Sequence, residues 1–337
     1  MILIDSVYIN DGGGLVLLKY FIEELENSKI DVYYLMDSRT IDCFSGSIKE
    51  KSFFVENTIS ARKVFYKNNV NRFSKVFCFG NVPPPIKLNV PVYVYLHQKL
   101  FIEVPSDFSF KNKLTYKVKQ LILNFYKKNT TRWIVQSELM CTQFAKKYYR
   151  GNSNNIMVLP FYPPLNFDNL NVKRQKNTFL YVSNASPHKN HLNLINAFCA
   201  AYDLTTRGSL VITVPESNVD LCKLINNKIE EGYPIRNVGF INRENLAELY
   251  LSHEYLIFPS LAESFGLGLA EAIDGGCKIL ASDLSYTYQV CSPSLTFNPY
   301  TEEGIKSAII KAVSENLPSS KKIISNDIKQ LISLLSE

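Results

Sequence analysis

Along its length the chain alternates short apolar runs with stretches in which apolar residues recur every three or four positions. MILIDSVYI, DVYYLMD, KVFCFG, PVYVYLH and TRWIVQS are such runs in the first half, and their length and β-branched or aromatic content predict buried strands. LVLLKYFIEELEN and ELMCTQFAKKYY carry a helical period between them. The alternation stops at VLPFYPPLNFDNLNVKRQKNTF, rich in proline and asparagine, which predicts a linker. It restarts with FLYVSNA and continues through HLNLINAFCAAY, SLVITVP, NVDLCKLINNKIEEG, IRNVGF, RENLAELYLSH, YLIFPS, GLGLAEAIDGG and KILASD, with helices expected from there to the end. The reading is α/β: two parallel, Rossmann-like domains over 1–165 and 172–318, and a terminal helix over 319–337 packing back on the first.

Composition narrows the class. A chain of 337 residues, 46% hydrophobic and 12% aromatic, buries two cores of its own. It has no run of 18 apolar residues, and its start carries neither a basic leader nor a small-residue cleavage site, so a cytoplasmic protein is expected. Seven cysteines without a C-x-x-C pair read as reduced, structural thiols rather than zinc ligands or a disulfide frame.

The net charge of +6 is unevenly placed: residues 1–170 hold 22 basic against 14 acidic side chains, and residues 171–337 hold 15 against 17. The densest basic stretch, FSFKNKLTYKVKQLILNFYKKNTTR (108–132), contains no acid, and Leu114, Val118, Leu121, Ile122 and Phe125 fall at helical spacing. Two readings stand side by side: a helix with its apolar face on the core and its lysines in water, or a surface for anionic lipid at the inner face of the membrane. No nucleic-acid module accompanies the charge, so nucleic acid is not expected as a partner.

Ligands of open parallel sheets sit beyond the carboxyl ends of the strands. Four segments there hold suggestive residues: Gly12–Gly14 after the first strand, His97 after PVYVYL, SNASPHKN after FLYV, and LAESFG after YLIFP. Gly13 and Gly14 fit either a tight strand-to-helix turn or a close approach to a ligand, but GGG is not a dinucleotide fingerprint. His97 fits a sugar contact or a buried, hydrogen-bonded histidine. Lys189 precedes a helix, where an ammonium and backbone amides together can hold a diphosphate. Taken alone, it reads first as a surface lysine. Glu263 and Glu271 stand either side of a glycine-broken helix start with seven residues between them. They read as a loop charge and a helix-surface charge, or as two acceptors for sugar hydroxyls.

ESFGLGLAE, preceded by YLIFPS and followed by GGCKILASD, resembles the signature of retaining glycosyltransferases of family 4, the glycosyl transferases group 1 of GT-B fold found in bacterial surface-polysaccharide assembly. YVSNASPHKNHLNLINAF is similar to the pyrophosphate segment of that family, and VGFINRENLAELY and IVQSELMCTQFAKKY also resemble it. The resemblance is strong over the second domain and looser over the first. It implies two domains facing a central cleft, with Glu271 on the ribose hydroxyls, Glu263 on the donor sugar, Lys189 on the diphosphate and His97 by the sugar. It also implies phosphate contacts from Phe265, Gly266 and Leu267, with Gly13, Gly14 and Phe240 lining the donor site. His188 and Ser183 stand where the family has an arginine, and are expected against the diphosphate in its place. No Asp-x-Asp metal site occurs.

The resemblance therefore implies metal-independent transfer, with retention, from a UDP- or GDP-linked sugar to a glycan or lipid-linked saccharide. Loops 214–218 and 239–243 are expected to select base and sugar. A non-catalytic sugar-nucleotide-binding subunit and a sugar-nucleotide epimerase are the competing readings; donor hydrolysis and an acceptor-independent product distinguish them.

Overall fold

The structure, a computed structural model, describes residues 1–104, 110–168, 170–263 and 265–337. The chain forms two compact units, Met1–Pro163 with Ser325–Glu337, and Pro164–Ile324.

In the first unit the order is β1 (Ile2–Asp5), α1 (Gly12–Asn27), β2 (Val32–Asp37), α2 (Gly46–Glu50), β3 (Ser52–Val55), α3 (Ile59–Asn69), β4 (Lys75–Cys78), β5 (Val92–Leu96), α4 (Phe110–Tyr126), β6 (Arg132–Val135), α5 (Glu138–Tyr148) and β7 (Ile156–Val158). The strands form one sheet in the order β3-β2-β1-β4-β5-β6-β7, with every pair parallel. Because side chains alternate along a strand, each strand feeds two cores. Leu3, Leu35, Val76, Val94 and Trp133 enter one core, and Ile4, Tyr34, Phe77, Tyr95 and Ile134 the other.

The second unit runs β8 (Gln175–Tyr181), α6 (His191–Thr205), β9 (Ser209–Ile212), α7 (Val219–Glu230), β10 (Ile235–Asn237), α8 (Leu246–Ser252), β11 (His253–Phe258), α9 (Leu267–Asp274), β12 (Lys278–Ser282), α10 (Ser285–Val290), β13 (Cys291–Ser292), β14 (Leu295–Phe297), α11 (Glu302–Ser314) and β15 (Lys321–Lys322). Its main sheet, β10-β9-β8-β11-β12-β14, is parallel throughout, while β13 and β15 pair antiparallel. The final helix, α12 (Ile328–Ser336), belongs to the first unit. It buries Ile328, Leu331 and Leu335 in the core that holds α1, and Lys75 donates to the carbonyls of Leu334 and Leu335 at 3.1 and 2.8 Å.

Three local expectations change. The stretch after KILASD is not all helix: β13, β14 and β15 interrupt it, each too short to show a period in the sequence. The three glycines form the first turn of α1 rather than a separate loop, and only Gly12, at φ +56°, leaves the ordinary region. Of the five apolar positions singled out in the basic stretch, Ile122 alone packs partly on the core. Leu114, Val118, Leu121 and Phe125 are exposed, and Leu123 is the buried anchor of α4. Phe108 and Ser109 of that stretch, Asn169 of the linker and Ser264 of the glutamate motif lie outside the described residues. All seven cysteines are free thiols. Among the described residues, no helix is long and apolar enough to cross a membrane.

Candidate functional site

In the second sheet β8 sits between β9 and β11, so the chain reverses its direction of travel across the sheet between β8 and β11. The loops leaving these two neighbouring strands emerge side by side at the carboxyl edge. One is SNASPHKN and the other SLAESFG. Hydrogen bonds stitch them: the Leu261 N–H donates to the His188 carbonyl at 2.8 Å, and the Asn190 amide donates to the carbonyls of Pro259 and Pro299 at 3.2 and 2.7 Å. Beneath them the Tyr181 hydroxyl donates to the Lys189 carbonyl, and the Tyr286 hydroxyl to that of Ser260, each at 2.7 Å.

This framework brings Lys189 Nζ within 2.5 Å of Glu263 Oε1, across 74 residues of chain. With side chains 15% and 12% exposed, neither is the solvated charge that composition alone allows. The Lys189 ammonium also lies 6.0 Å from the centre of the Phe258 ring.

Glu271 is held differently. Gly266 caps α9 at φ +76°, a left-handed conformation that an L side chain adopts only with strain, and a Cβ there would stand 3.3 Å from Leu269. One helical turn further on, Glu271 is buried, at 4% exposure, rather than on the helix surface. Its Oε1 forms an ion pair with the Arg243 guanidinium, and its Oε2 accepts from the Tyr250 hydroxyl at 3.3 Å. Burial raises the carboxyl's pKa, and the Arg243 charge with the hydrogen bonds from Arg243 and Tyr250 only partly opposes this.

His97 follows β5 in the first unit. Its backbone N–H donates to Asn81 Oδ1 at 2.8 Å, its ring stacks on Phe79, and Nε2 lies 3.2 Å from the Phe79 carbonyl and 3.1 Å from the Asn81 amide nitrogen. A protonated Nε2 donates to Phe79, and an unprotonated one accepts from Asn81. Loss of water around the ring pushes its pKa down to about 4, against the opposing Phe79 hydrogen bond, so it is neutral at pH 7. A Cβ added at Gly14 would lie 3.5 Å from this ring, which makes Gly14 and His97 neighbours at the carboxyl edge of the first sheet.

Of the residues singled out in the sequence, Ser183, His188, Lys189 and Glu263 share one edge of the second sheet, with Phe265, Gly266 and Leu267 at the start of α9. Gly13, Gly14 and His97 belong to the first unit. Phe240 stands 76% exposed after β10. Ser183 is tied to Thr213, its N–H donating at 3.0 Å, and so braces β8 against β9. Arg243 and Tyr250 escaped sequence reasoning as partners of Glu271. Nothing local marks them, although Arg243 ends the 239–243 loop already expected to select the base and sugar. Among the described residues, no group of three His, Cys, Asp or Glu side chains could hold a metal ion.

Two parallel sheets of this order, one per unit, make a two-domain Rossmann-like GT-B fold. The apo structure of WaaB, a lipopolysaccharide outer core galactosyltransferase, superposes with TM-score 0.66 at 16% identity, covering 100% of this chain and 95% of that one. Anabaena Alr3699/HepE in complex with UDP-glucose superposes with TM-score 0.65 at 14% identity, covering 99% and 92%. The O-antigen chain mannosyltransferase B of Escherichia coli is 26% identical over 141 residues, 41% of this chain and 37% of that protein's length. Residues 164–330, just under half of the chain, match the family described as glycosyl transferases group 1.

Proposed function

We propose that the protein transfers a glycosyl group from a nucleoside-diphosphate sugar to a saccharide acceptor, with retention and without a metal ion, in assembly of a bacterial surface polysaccharide of the O-antigen or capsule type. The observation that carries this reading is the pairing of Lys189 with Glu263 at the topological switch of the second sheet, beside the amides that open α9. Support comes from the family match and from relatives that are a galactosyltransferase, a mannosyltransferase and a protein complexed with UDP-glucose.

In this reading a donor diphosphate takes the Lys189 ammonium and the amides of 265–267, and Glu263, released from the lysine, accepts from donor-sugar hydroxyls. Glu271 accepts from the ribose with lone pairs that Arg243 and Tyr250 leave over. The bond between the anomeric carbon and the diphosphate oxygen breaks, and its electron pair leaves with the diphosphate. The acceptor hydroxyl forms the new C–O bond on the same face, and its proton passes to the departing diphosphate oxygen. Lys189 and the amides stabilise the charge that grows there. The acceptor is a glycan or a lipid-linked saccharide.

Calorimetry with UDP, GDP and their sugar conjugates tests the assignment. Glu271→Ala should weaken nucleoside diphosphate and donor alike, by roughly 10- to 150-fold for one charged hydrogen bond. Glu263→Ala should spare the diphosphate and weaken only the donor. Equal loss of diphosphate binding in both variants would refute the division of roles. Turnover that disappears in EDTA and returns with manganese refutes metal independence, and donor binding without transfer leaves the non-catalytic reading standing.

A further inference from the structure

The helix α4 is turned inside out relative to an ordinary surface helix. Its inner side is anchored by the buried Leu123, with Ile122 packed partly on the core, and by a hydrogen bond from the Gln120 amide to the Leu100 carbonyl at 2.9 Å. Its outer side carries Phe110, Leu114, Val118, Leu121 and Phe125, exposed by 83%, 53%, 47%, 67% and 64%. Spaced by four, four, three and four residues, they share an arc of about 80° at ~100° per residue. Lys117 borders one edge of that arc and Lys111 the other, and both are exposed. Just past the helix, the Lys128 ammonium lies 5.4 Å from the Phe125 ring centre, and Lys87, Phe125 and Lys128 border a shallow depression of about 480 Å³.

A solvent-facing apolar stripe normally marks an interaction surface. The charge around this one selects the partner. No acidic side chain occurs between residues 108 and 132, while the helix supplies Lys111, Lys113, Lys117 and Lys119. A second copy laid on the stripe would press lysine flanks against lysine flanks, which like charges oppose. An acidic surface with an apolar interior satisfies both halves: the stripe enters the acyl boundary and the lysines stay at the level of the headgroups. At 17 residues, with four lysines, α4 lies in the plane of the surface rather than crossing it.

We propose that the outer face of α4 docks the protein on the surface of an anionic lipid bilayer. The docking does not depend on the transfer reading, because none of these side chains belongs to the nucleotide site. It would, however, place the first unit beside a lipid-linked acceptor.

The test is sedimentation of the full chain with pure phosphatidylcholine vesicles and with vesicles of equal parts phosphatidylcholine and phosphatidylglycerol, without donor. Binding is expected to the mixed vesicles only, falling as salt rises. Neutralising two lysines in Lys111→Gln/Lys117→Gln should weaken it roughly 25-fold, at about fivefold per charge. Leu114→Glu/Leu121→Glu should abolish it, while circular dichroism, melting temperature and transfer to a soluble acceptor stay unchanged, since both side chains face water. Equal binding to the two vesicle types, no binding to either, or a dimer in solution that Leu121→Glu dissociates would each overturn the proposal. Vesicle binding without glycosyl transfer would refute the transfer reading alone, and transfer without vesicle binding would refute the docking alone.

Discussion

Removing the ammonium of Lys189 strands a carboxylate with little access to water, so the residue has a structural role as well as a role toward the ligand. Breaking a partly buried pair from one side costs about 1–3 kcal/mol, less than the full penalty of a wholly buried one, because both partners keep some solvent contact. Lys189→Ala should therefore lower the melting temperature by several degrees and abolish turnover. Adding Glu263→Ala removes the stranded charge. The double variant should regain most of the lost stability and none of the activity, as thermal denaturation and a donor-turnover assay on the two variants will show. Recovery of both readouts would mean that the pair is structural only, and no loss of stability in the single variant would mean that the ion pair is not populated in solution. Glu271 differs from Glu263 in kind. Its carboxylate is already engaged on both oxygens, so a ribose adds to an existing network and does not compete with a single cation.

At the scale of the element, α9 shows how a turn can aim a binding site. The helix is eight residues long, and its opening amides point where they do because Gly266 turns the chain through the left-handed region. Gly266→Ala would cost about 1–2 kcal/mol in backbone strain. It would also bring a methyl group to 3.3 Å from Leu269 and 3.4 Å from Val290, so that the first turn must shift. The expected outcome is a lower melting temperature together with weaker nucleoside diphosphate binding by calorimetry. If affinity is kept while stability falls, the 265–267 amides do not touch the ligand. Helix α4 makes the opposite use of an element: its anchor is one buried leucine with a few polar contacts, and most of its apolar surface is spent outward.

The whole molecule has two units, and each holds a histidine that the fold keeps neutral. His97 in the first and His191 in the second are both pushed down to about 4, His97 by burial against the Phe79 hydrogen bond, His191 by burial with help from the Lys189 charge. The His191 Nε2 has no hydrogen-bond partner among the described residues. A folded pKa below the unfolded value of 6.5 means that the unfolded chain takes up the proton more readily. The stability these groups contribute is full above pH 6.5 and is lost as the pH falls from there to about 4. Hydrogen exchange resolved by unit should show both units weakening over this window. His191→Phe should lessen the dependence in the second unit, where His253, whose pKa burial also lowers, keeps the remainder, and leave it unchanged in the first. If the second unit keeps its full slope in that variant, His191 does not titrate over this window.

Much of this was legible in the sequence because the signals are local. Strand length, helical period and a proline-rich break recover the parallel sheets, since each depends on residues within a few turns of one another. The glutamates either side of Gly266 were visible for the same reason, being tied to one helix start. The sequence did not carry the sign of an amphipathic pattern. The positions 114, 118, 121 and 125 have the same spacing whether the stripe faces core or water, and only the packing of Leu123 decided that it faces water. Strands of two or three residues, as in β13, β14 and β15, have no period to read. The partners across long separations were likewise invisible: Lys189 meets Glu263 across 74 residues, and Arg243 and Tyr250 meet Glu271, because strand order sets the neighbours of a loop. A one-dimensional pattern records which residues want burial or charge, whereas which of them share a site is settled only when the sheet orders its strands.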